Sequence, residues 1–270
     1  MTAKKAFVID VSICNGCYCC QIACKDEHVG NEWSPYAKPQ PDTGQFWMKL
    51  NEHVRGTVPK VKMHYIPVMC MHCDEAPCIP ACPVEGAIYK RDDGLVIIDP
   101  EKCTGCKLCV DTCPYGAIYF NDDLNIAQKC TGCAHLLDDG WKEPRCVDIC
   151  PTGALKFGTE DELRGLISKA GVLKPEAETG PRVYYLNIPG KFVAGTVYDP
   201  VDEEVVIGAT CTLSSNGSKL TTVTDSFGDF WFEGLEESIY SLKLEKDGKT
   251  KKIDTIATQA DVNLGDIPFP

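Results

Sequence analysis

The stretch that decides the fold is residues 103–114, with the sequence CTGCKLCVDTCP. Its four cysteines follow the spacing C-x2-C-x2-C-x3-C, and a proline comes directly after the last one. A tight loop with this spacing directs three thiolates at one centre, and we expect the fourth cysteine to enter a helix and point at a neighbouring centre. The pattern is typical of ligands to [4Fe-4S] clusters.

Three further runs of four cysteines lie along the same part of the chain. Residues 14–24 repeat the spacing, whereas residues 70–82 and 130–150 contain longer loops but keep a C-x2-C start and a C-x3-C-P end. Lys25, rather than proline, follows the last cysteine of the first run. Four runs predict four clusters, and the candidate ligands are Cys14, Cys17, Cys20, Cys24, Cys70, Cys73, Cys78, Cys82, Cys103, Cys106, Cys109, Cys113, Cys130, Cys133, Cys146 and Cys150.

Zinc and disulfides are the competing interpretations of these cysteines. Two C-x2-C knuckles can close a zinc site, but the run at residues 103–113 has three cysteines at i, i+3 and i+6 and a fourth at i+10, which is not a pair of separate knuckles. Disulfides belong to oxidising compartments, and residues 1–5 lack the apolar region of a signal peptide. We therefore expect iron–sulfur clusters in a cytoplasmic protein, with export on a partner that carries a twin-arginine signal as the alternative.

The surroundings of the runs also repeat. A short stretch rich in β-formers precedes each run, and near-copies of the sequence GAIY follow the last three runs, at residues 86–89, 116–119 and 153–156. Asp, Asn and Gly between these stretches favour hairpin turns. The sequence thus predicts an α+β domain over residues 1–158 in which two ferredoxin-like modules each hold two clusters.

Composition excludes several other functions. The 270 residues contain 27 Lys and Arg against 39 Asp and Glu, a formal net charge of -12, which disfavours nucleic-acid binding. The chain has no G-x-S-x-G, P-loop, G-x-G-x-x-G or H-E-x-x-H motif, so we expect no catalysis by the chain itself. For His72 and His135, which lie in or just after C-x2-C knuckles, packing and hydrogen bonding are favoured over proton transfer.

A long insertion, residues 25–69, separates the first two runs. It contains several aromatic residues, including Trp33 and Trp47. Aromatic residues are enriched at protein interfaces, so the insertion is a candidate for docking on a catalytic subunit. The alternative, that it only covers the clusters, stays open.

The last third of the chain has a different pattern. Residues 159–162 form a capping box that predicts a short helix, with Gly171 as its expected stop, and a connector continues to residue 190. From residue 191, alternating apolar residues and an Asp247-Gly248 turn predict about seven short strands in a small β-sandwich. Cys211 is expected in its core, and Cys19 is expected as a packed or hydrogen-bonded thiol. The acidic surface of this domain is either a solvated face or a module that contacts a partner.

The first 160 residues resemble a known family, the four-cluster electron-transfer subunits of the dimethyl sulfoxide reductase superfamily. The resemblance rests on the four runs and on residues 70–78 (CMHCDEAPC) and 128–133 (QKCTGC). It implies a large catalytic subunit that alone carries a molybdenum or tungsten bis-pterin. It also implies four ligand sets: Cys14, Cys17, Cys20 and Cys150; Cys24, Cys130, Cys133 and Cys146; Cys70, Cys73, Cys78 and Cys113; and Cys82, Cys103, Cys106 and Cys109.

The sandwich resembles transthyretin-like, carboxypeptidase-regulatory domains, on residues 195–197, 224–235 and 240–242. The order of domains, with a cluster-binding domain followed by this sandwich, resembles that of the small subunits of the pyrogallol–phloroglucinol transhydroxylase family and of related phenol hydroxylases and dehydroxylases. In the transhydroxylase pattern one of the cysteine ligand sets is incomplete, whereas all sixteen ligand cysteines are present here. The complete set favours electron exchange with an external carrier or a membrane subunit. The alternatives are an oxidoreductase of the same superfamily that acts on oxyanions or sulfur compounds, a free polyferredoxin, and a scaffold module.

Overall fold

A computed structural model describes residues 3–270 and divides into two compact units. The first contains the chain up to Glu52 together with residues 64–188, and the second contains residues 53–63 and 189–270. Two segments therefore lie elsewhere than the sequence suggested. The connector after residue 158 packs within the first unit, and part of the long insertion packs within the second.

The first unit is built from short helices and strands. Its helices are α1 (Cys19–His28), α2 (Cys78–Ala81), α3 (Leu108–Thr112), α4 (Ala134–Asp138), α5 (Arg145–Asp148) and α6 (Glu160–Ile167). The strands up to the end of this unit are β1 (Lys5–Asp10), β2 (Lys49–Thr57), β3 (Lys60–Val68), β4 (Ile88–Lys90), β5 (Val96–Ile98), β6 (Ile118–Asn121), β7 (Ile126–Lys129), β8 (Leu155–Thr159) and β9 (Val183–Leu186).

The near-copies of GAIY form strands, as predicted. β4 pairs with β5 and β6 pairs with β7, each as an antiparallel hairpin that follows a cysteine run. The third copy becomes β8, which pairs antiparallel with β1. β9, which the sequence had left in a connector, pairs parallel with the other edge of β1 and completes a three-stranded sheet.

The expectation that the fourth cysteine of a run enters a helix is wrong for the second and third runs. Cys82 and Cys113 directly follow the short helices α2 and α3, and both have extended backbone conformations. The prolines after them explain this, because a residue that precedes proline is sterically disfavoured in the α conformation. Lys25 removes that restraint in the first run, and α1 continues to His28.

The capping box at the start of α6 is confirmed. Thr159 accepts a hydrogen bond from the Glu162 N–H, and the Glu162 carboxylate accepts one from the Thr159 N–H. The expected stop is wrong, because α6 ends at Ile167. Gly171 instead exchanges backbone hydrogen bonds with Tyr185 in β9. No helix within residues 3–270 combines the length and the apolar character needed to cross a membrane.

The second unit is a β-sandwich of two antiparallel-rich sheets. A three-stranded sheet has the order β13-β10-β16 and a four-stranded sheet has the order β12-β11-β14-β15. The strands are β10 (Lys191–Tyr198), β11 (Thr210–Ser215), β12 (Ser218–Val223), β13 (Asp229–Leu235), β14 (Ile239–Lys246), β15 (Lys249–Ala257) and β16 (Val262–Pro268). Alternate residues of β14 are buried, and Cys211 is 0% exposed in the core. The seven strands and the buried thiol confirm the prediction.

The tip of the β2–β3 hairpin belongs to this sandwich unit. Arg55 donates from Nε to Asp261 Oδ2 at 2.8 Å and from Nη2 to Asp261 Oδ1 at 2.5 Å. Lys60 forms an ion pair with Asp229. Trp47 is buried in the core of the first unit and Trp33 packs against that core, and docking of the insertion on a partner stays a prediction.

Candidate metal centres

All four C-x2-C knuckles share one backbone feature. The residue before the second cysteine has a positive φ in each: 71° at Gly16, 46° at His72, 75° at Gly105 and 64° at Gly132. Glycine adopts this left-handed conformation without steric cost, whereas His72 is strained there. The shared geometry turns the chain tightly, so that cysteines of one run face the same point.

The family resemblance implies four sets among the sixteen candidate cysteines, each with three members from one run and the fourth from another run. We name them site I (Cys14, Cys17, Cys20, Cys150), site II (Cys24, Cys130, Cys133, Cys146), site III (Cys70, Cys73, Cys78, Cys113) and site IV (Cys82, Cys103, Cys106, Cys109).

Sites III and IV are cavities in the first unit. All four cysteines of site III line one cavity, together with apolar side chains that include Val96 and Ile118. All four cysteines of site IV line another, together with Ile88, Ile98 and Ala127. The hairpins β4–β5 and β6–β7 supply these apolar residues, which explains why the hairpins recur after the runs.

The mutual effects of the thiols show that the cysteines of sites I and II are also close together. Burial raises the pKa of Cys20 to about 12, and the negative charges of Cys14, Cys150 and Cys17 add to the rise. Burial and the charges of Cys130 and Cys133 hold the pKa of Cys24 well above its usual range. Thiols with raised pKa values bind protons tightly, so metal binding must displace those protons.

The four sites differ in their exposure to solvent. Cys17 of site I and Cys106 of site IV are exposed. All four cysteines of site II are buried, as are three of the four in site III. The first unit therefore has two accessible sites and two enclosed ones.

The thiols of sites III and IV are spread around cavities, which fits a group larger than a single metal ion. Within residues 3–270, no group of three or more His, Cys, Asp or Glu side chains converges closely enough to hold one metal ion. Four thiols around a cavity fit a larger group, because a zinc knuckle would draw its four sulfurs onto one ion at about 2.3 Å.

Hydrogen bonds reach several of the sulfur atoms. The N–H groups of Gly132 and Ala127 donate to Cys130 Sγ at 3.3 Å and to Cys103 Sγ at 3.4 Å. The Thr179 hydroxyl, which lies 2.7 Å from the Tyr115 hydroxyl, hydrogen-bonds Cys73 and counteracts the effect of burial on its pKa. Nothing in the sequence around Thr179 marks it as part of the site.

The histidines near the sites hydrogen-bond and pack. His72 is buried, and its Nδ1 accepts a hydrogen bond from the Val96 N–H at 3.0 Å. Burial holds the pKa of His72 well below its usual range, which keeps the ring neutral. The Nε2 atom of His135 lies 3.0 Å from Glu27 Oε1, and the Trp33 ring stacks on the imidazole at 4.3 Å.

Cys19 belongs to none of the four sites. It interacts with the sulfur of Cys17 through a side-chain hydrogen bond, which raises the pKa of the Cys19 thiol. The role of Cys19 as a packed or hydrogen-bonded thiol stays a prediction.

Two family models match the chain. The 4Fe-4S dicluster domain matches residues 61–160, and the carboxypeptidase regulatory-like domain matches residues 193–267. Together with the seven-stranded sandwich, these matches confirm the predicted fold class.

Several characterised proteins are similar over most of their length. The pyrogallol hydroxytransferase small subunit of Pelobacter acidigallici is 40% identical over 96% of this chain and 96% of the relative. A sulfite dehydrogenase subunit of Allochromatium vinosum is 36% identical over 67% of this chain and 82% of the relative. A tetrathionate reductase subunit of Salmonella typhimurium is 35% identical over 70% of this chain and 75% of the relative.

The relatives share their cluster-binding part with this chain, and the first of them covers its sandwich as well. They are named as subunits of larger enzymes rather than as complete enzymes. The chain therefore belongs to the family of iron–sulfur electron-transfer subunits of molybdopterin oxidoreductases.

Proposed function

We propose that sites I to IV each hold one [4Fe-4S] cluster through their four cysteines. The observation that carries this proposal is the exchange of fourth cysteines between runs. In support of the exchange, the charges of Cys130 and Cys133 from the fourth run act on Cys24, and the charge of Cys150 acts on Cys20 of the first run. Cys113 and Cys82 are exchanged in the same way between sites III and IV.

The residues around each site fit such a group. At sites III and IV, four cysteines and several apolar side chains line each cavity. Bound clusters would supply reversible one-electron oxidation and reduction. The chain sets their potentials through burial and through N–H and O–H groups that donate to sulfur.

Exposure favours a path with two ends. Electrons enter or leave at sites I and IV, where Cys17 and Cys106 reach the surface, and pass through the buried sites II and III. A two-ended path serves a subunit that connects two partners. One partner is a catalytic subunit with a molybdenum or tungsten bis-pterin, and the other is an external electron carrier or a membrane subunit.

The substrate of the complex is an aromatic, polyhydroxylated compound. Similarity to the pyrogallol hydroxytransferase small subunit over 96% of both chains supports this assignment, because it includes the sandwich. A second candidate is an oxidoreductase that acts on a sulfur compound, since relatives from sulfite dehydrogenase and tetrathionate reductase are 36% and 35% identical. Those relatives cover only 67% and 70% of this chain.

The ligand assignment is tested by replacing Cys24 with serine. Native protein prepared anaerobically should contain about sixteen iron atoms per chain. Cys24→Ser should damage only the cluster at site II, although Cys24 belongs by sequence to the first run. Iron analysis and electron paramagnetic resonance (EPR) of the reduced protein measure the loss.

Cys19→Ser is the matched control, because Cys19 lies in the same helix but in none of the four sites. It should leave the iron content and the EPR signal of the cluster at site II unchanged. Zinc in place of iron, or loss of the site I cluster in Cys24→Ser, would contradict the assignment. The catalytic partner is tested separately, by whether a large pterin-containing chain co-purifies with the native protein.

A further inference from the structure

One lysine of the first unit is buried between two of the cysteine sites. Lys129 is the last residue of β7 and precedes Cys130, and it is 2% exposed. Its Nζ atom donates hydrogen bonds to the carbonyl oxygens of Val96 and Cys130, the latter at 3.0 Å. The ammonium group is therefore held by one carbonyl oxygen from β5 and one from the residue directly after β7.

These two carbonyls place the ammonium group next to two sites. Val96 lines the cavity of site III, and Cys130 is a member of site II. Both carbonyl oxygens accept hydrogen bonds from the one ammonium group, so its positive charge lies near both sites.

No acidic side chain within residues 3–270 balances this charge. Two other basic side chains within residues 3–270 are buried, and each has a carboxylate partner. Lys60 pairs with Asp229, and Arg182 pairs with Asp74 and Glu160. A buried ammonium group is costly unless a negative charge lies near it. Two carbonyl oxygens accept hydrogen bonds from this three-donor group but supply no net charge.

We propose that Lys129 is a shared counter-charge for the clusters at sites II and III, and that it raises the reduction potentials of both. The proposal rests on the proposed function, since it needs clusters at these sites. A cluster held by four thiolates carries net negative charge, and reduction adds one more electron. A cation at short range in a buried site stabilises the reduced form, so the potential rises.

The shared position has a consequence for electron transfer. Because one charge acts on both sites, it raises the two potentials together and leaves the difference between them largely unchanged. Electron transfer from sites I and IV into the two buried sites then becomes more favourable. Sites I and IV, whose exposed cysteines are screened by water, depend on this charge much less.

A second lysine offers a matched control. Lys102 also directly precedes the first cysteine of a C-x2-C knuckle, Cys103. Its side chain is 54% exposed, and its Nζ atom lies 3.3 Å from Asp99 Oδ2. The two lysines thus share their place in the sequence motif but differ in burial and in pairing.

The experiment is an EPR-monitored redox titration of the native complex with Lys129→Met or Lys102→Met in this chain. Methionine keeps the length and apolar stem of lysine without the charge. In Lys129→Met, two of the four midpoint potentials should move to more negative values while the iron content stays at about sixteen per chain. Lys102→Met should leave all four potentials in place.

Four unchanged midpoint potentials in Lys129→Met, with full iron content, would overturn the proposal and leave the proposed function standing. An equal shift of all four would also overturn it. Failure of the proposed function would look different, because the wild-type protein itself would then lack four reducible clusters.

If Lys129→Met loses clusters, the variants Lys129→Gln and Lys129→Arg show whether the charge or the shape of the side chain is responsible. If both uncharged variants lose about half of the iron and Lys129→Arg retains it, the charge itself holds the two clusters, which supports the proposal. If all three variants lose iron equally, the shape of the side chain rather than its charge is required, and the proposal is wrong.

Discussion

The two units of this chain obtain a stable interior in different ways. The buried core of the first includes cysteines from every run, such as Cys24, Cys70, Cys109 and Cys146. The core of the second contains one cysteine, Cys211, among aliphatic and aromatic side chains that pack against each other. Thiols arranged around cavities leave a core incomplete until a group fills it, whereas the sandwich core is complete in itself.

The lengths of the elements follow the same division. α2 and α5 have 4 residues each and β4 and β5 have 3 each, whereas the sandwich strands have 6 to 9. Helices this short are not stable by themselves, since a helix gains one hydrogen bond per residue only after a costly first turn. The first unit therefore depends on bonds to its cysteines, while the second depends on strand pairing and apolar burial.

The largest expected effect comes from removing iron. Treatment of the full chain with a chelator under anaerobic conditions should unfold much of the first unit, because binding energy of a metal group contributes directly to folding. The sandwich should stay folded. Hydrogen exchange of the full chain measures this, with β5 and β7 expected to lose protection and β10 and β14 expected to keep it.

Loss of protection in both units would show that the sandwich also depends on the clusters. Full protection in β5 and β7 after iron removal would show that the first unit has a self-sufficient core. Either result would remove the contrast between the units.

An intermediate effect is expected from a cavity in the sandwich core. Phe230 is 1% exposed between the two sheets, and Phe230→Ala should lower the free energy of unfolding of the second unit by roughly 3–5 kcal/mol. Iron content should not change, because no cluster site belongs to that unit. Denaturant titration followed by hydrogen exchange of β10 and β14 measures the loss.

Phe227→Ala is the control for this change, since Phe227 is 72% exposed in the same unit. It should change stability by less than about 0.5 kcal/mol. Loss of iron in Phe230→Ala would contradict the separation of the two interiors.

A smaller effect is expected where the hairpin tip joins the sandwich unit. Asp261 accepts hydrogen bonds from Arg55 and from the Phe192 N–H. Asp261→Asn keeps the size of the side chain but removes its charge, and should destabilise the second unit by about 1–3 kcal/mol. Asp254→Asn is the control, because Asp254 is a surface residue paired only with Lys252.

The contribution of Asp261 also depends on pH. Burial raises its pKa, but hydrogen bonds from Arg55 and Phe192 outweigh this and lower it below the usual 3.8. A carboxylate with a lowered folded-state pKa stabilises the fold above pH 3.8, and that contribution is lost as the pH falls through the lowered value. The wild-type advantage over Asp261→Asn should therefore shrink in this acidic range, and an advantage that grows there would contradict the assignment.

Much of the fold could be predicted because its signals are local. The spacing of residues 103–113 defines a ligand loop, the capping box at Thr159 starts a helix, and the turn at Asp247 and Gly248 closes a hairpin, with φ values of 48° and 77°. Each of these signals depends on residues within a few positions of each other.

The errors arose where distant segments compete for the same residues. Gly171 and Tyr185 exchange backbone hydrogen bonds with each other. Gly171 therefore forms a bridge instead of ending a helix, and Tyr185 lies in a strand beside β1. The hairpin tip around Arg55 packs within the sandwich unit because Arg55 pairs with Asp261. The two residues lie more than two hundred positions apart in the sequence. No local pattern reports such pairing.

The amino-acid sequence by itself determined the kind of group that is bound and the number of thiols available for it, because ligand spacing within a loop is a local property of the chain. Only the tertiary structure brought Cys24 beside Cys130 and Lys129 between sites II and III, and left Cys17 and Cys106 at the surface. The physical reason is that burial and electrostatic neighbourhood depend on which distant segments pack together. Burial and electrostatic neighbourhood set the reduction potential of each site, and so decide where in the molecule electrons are held most tightly.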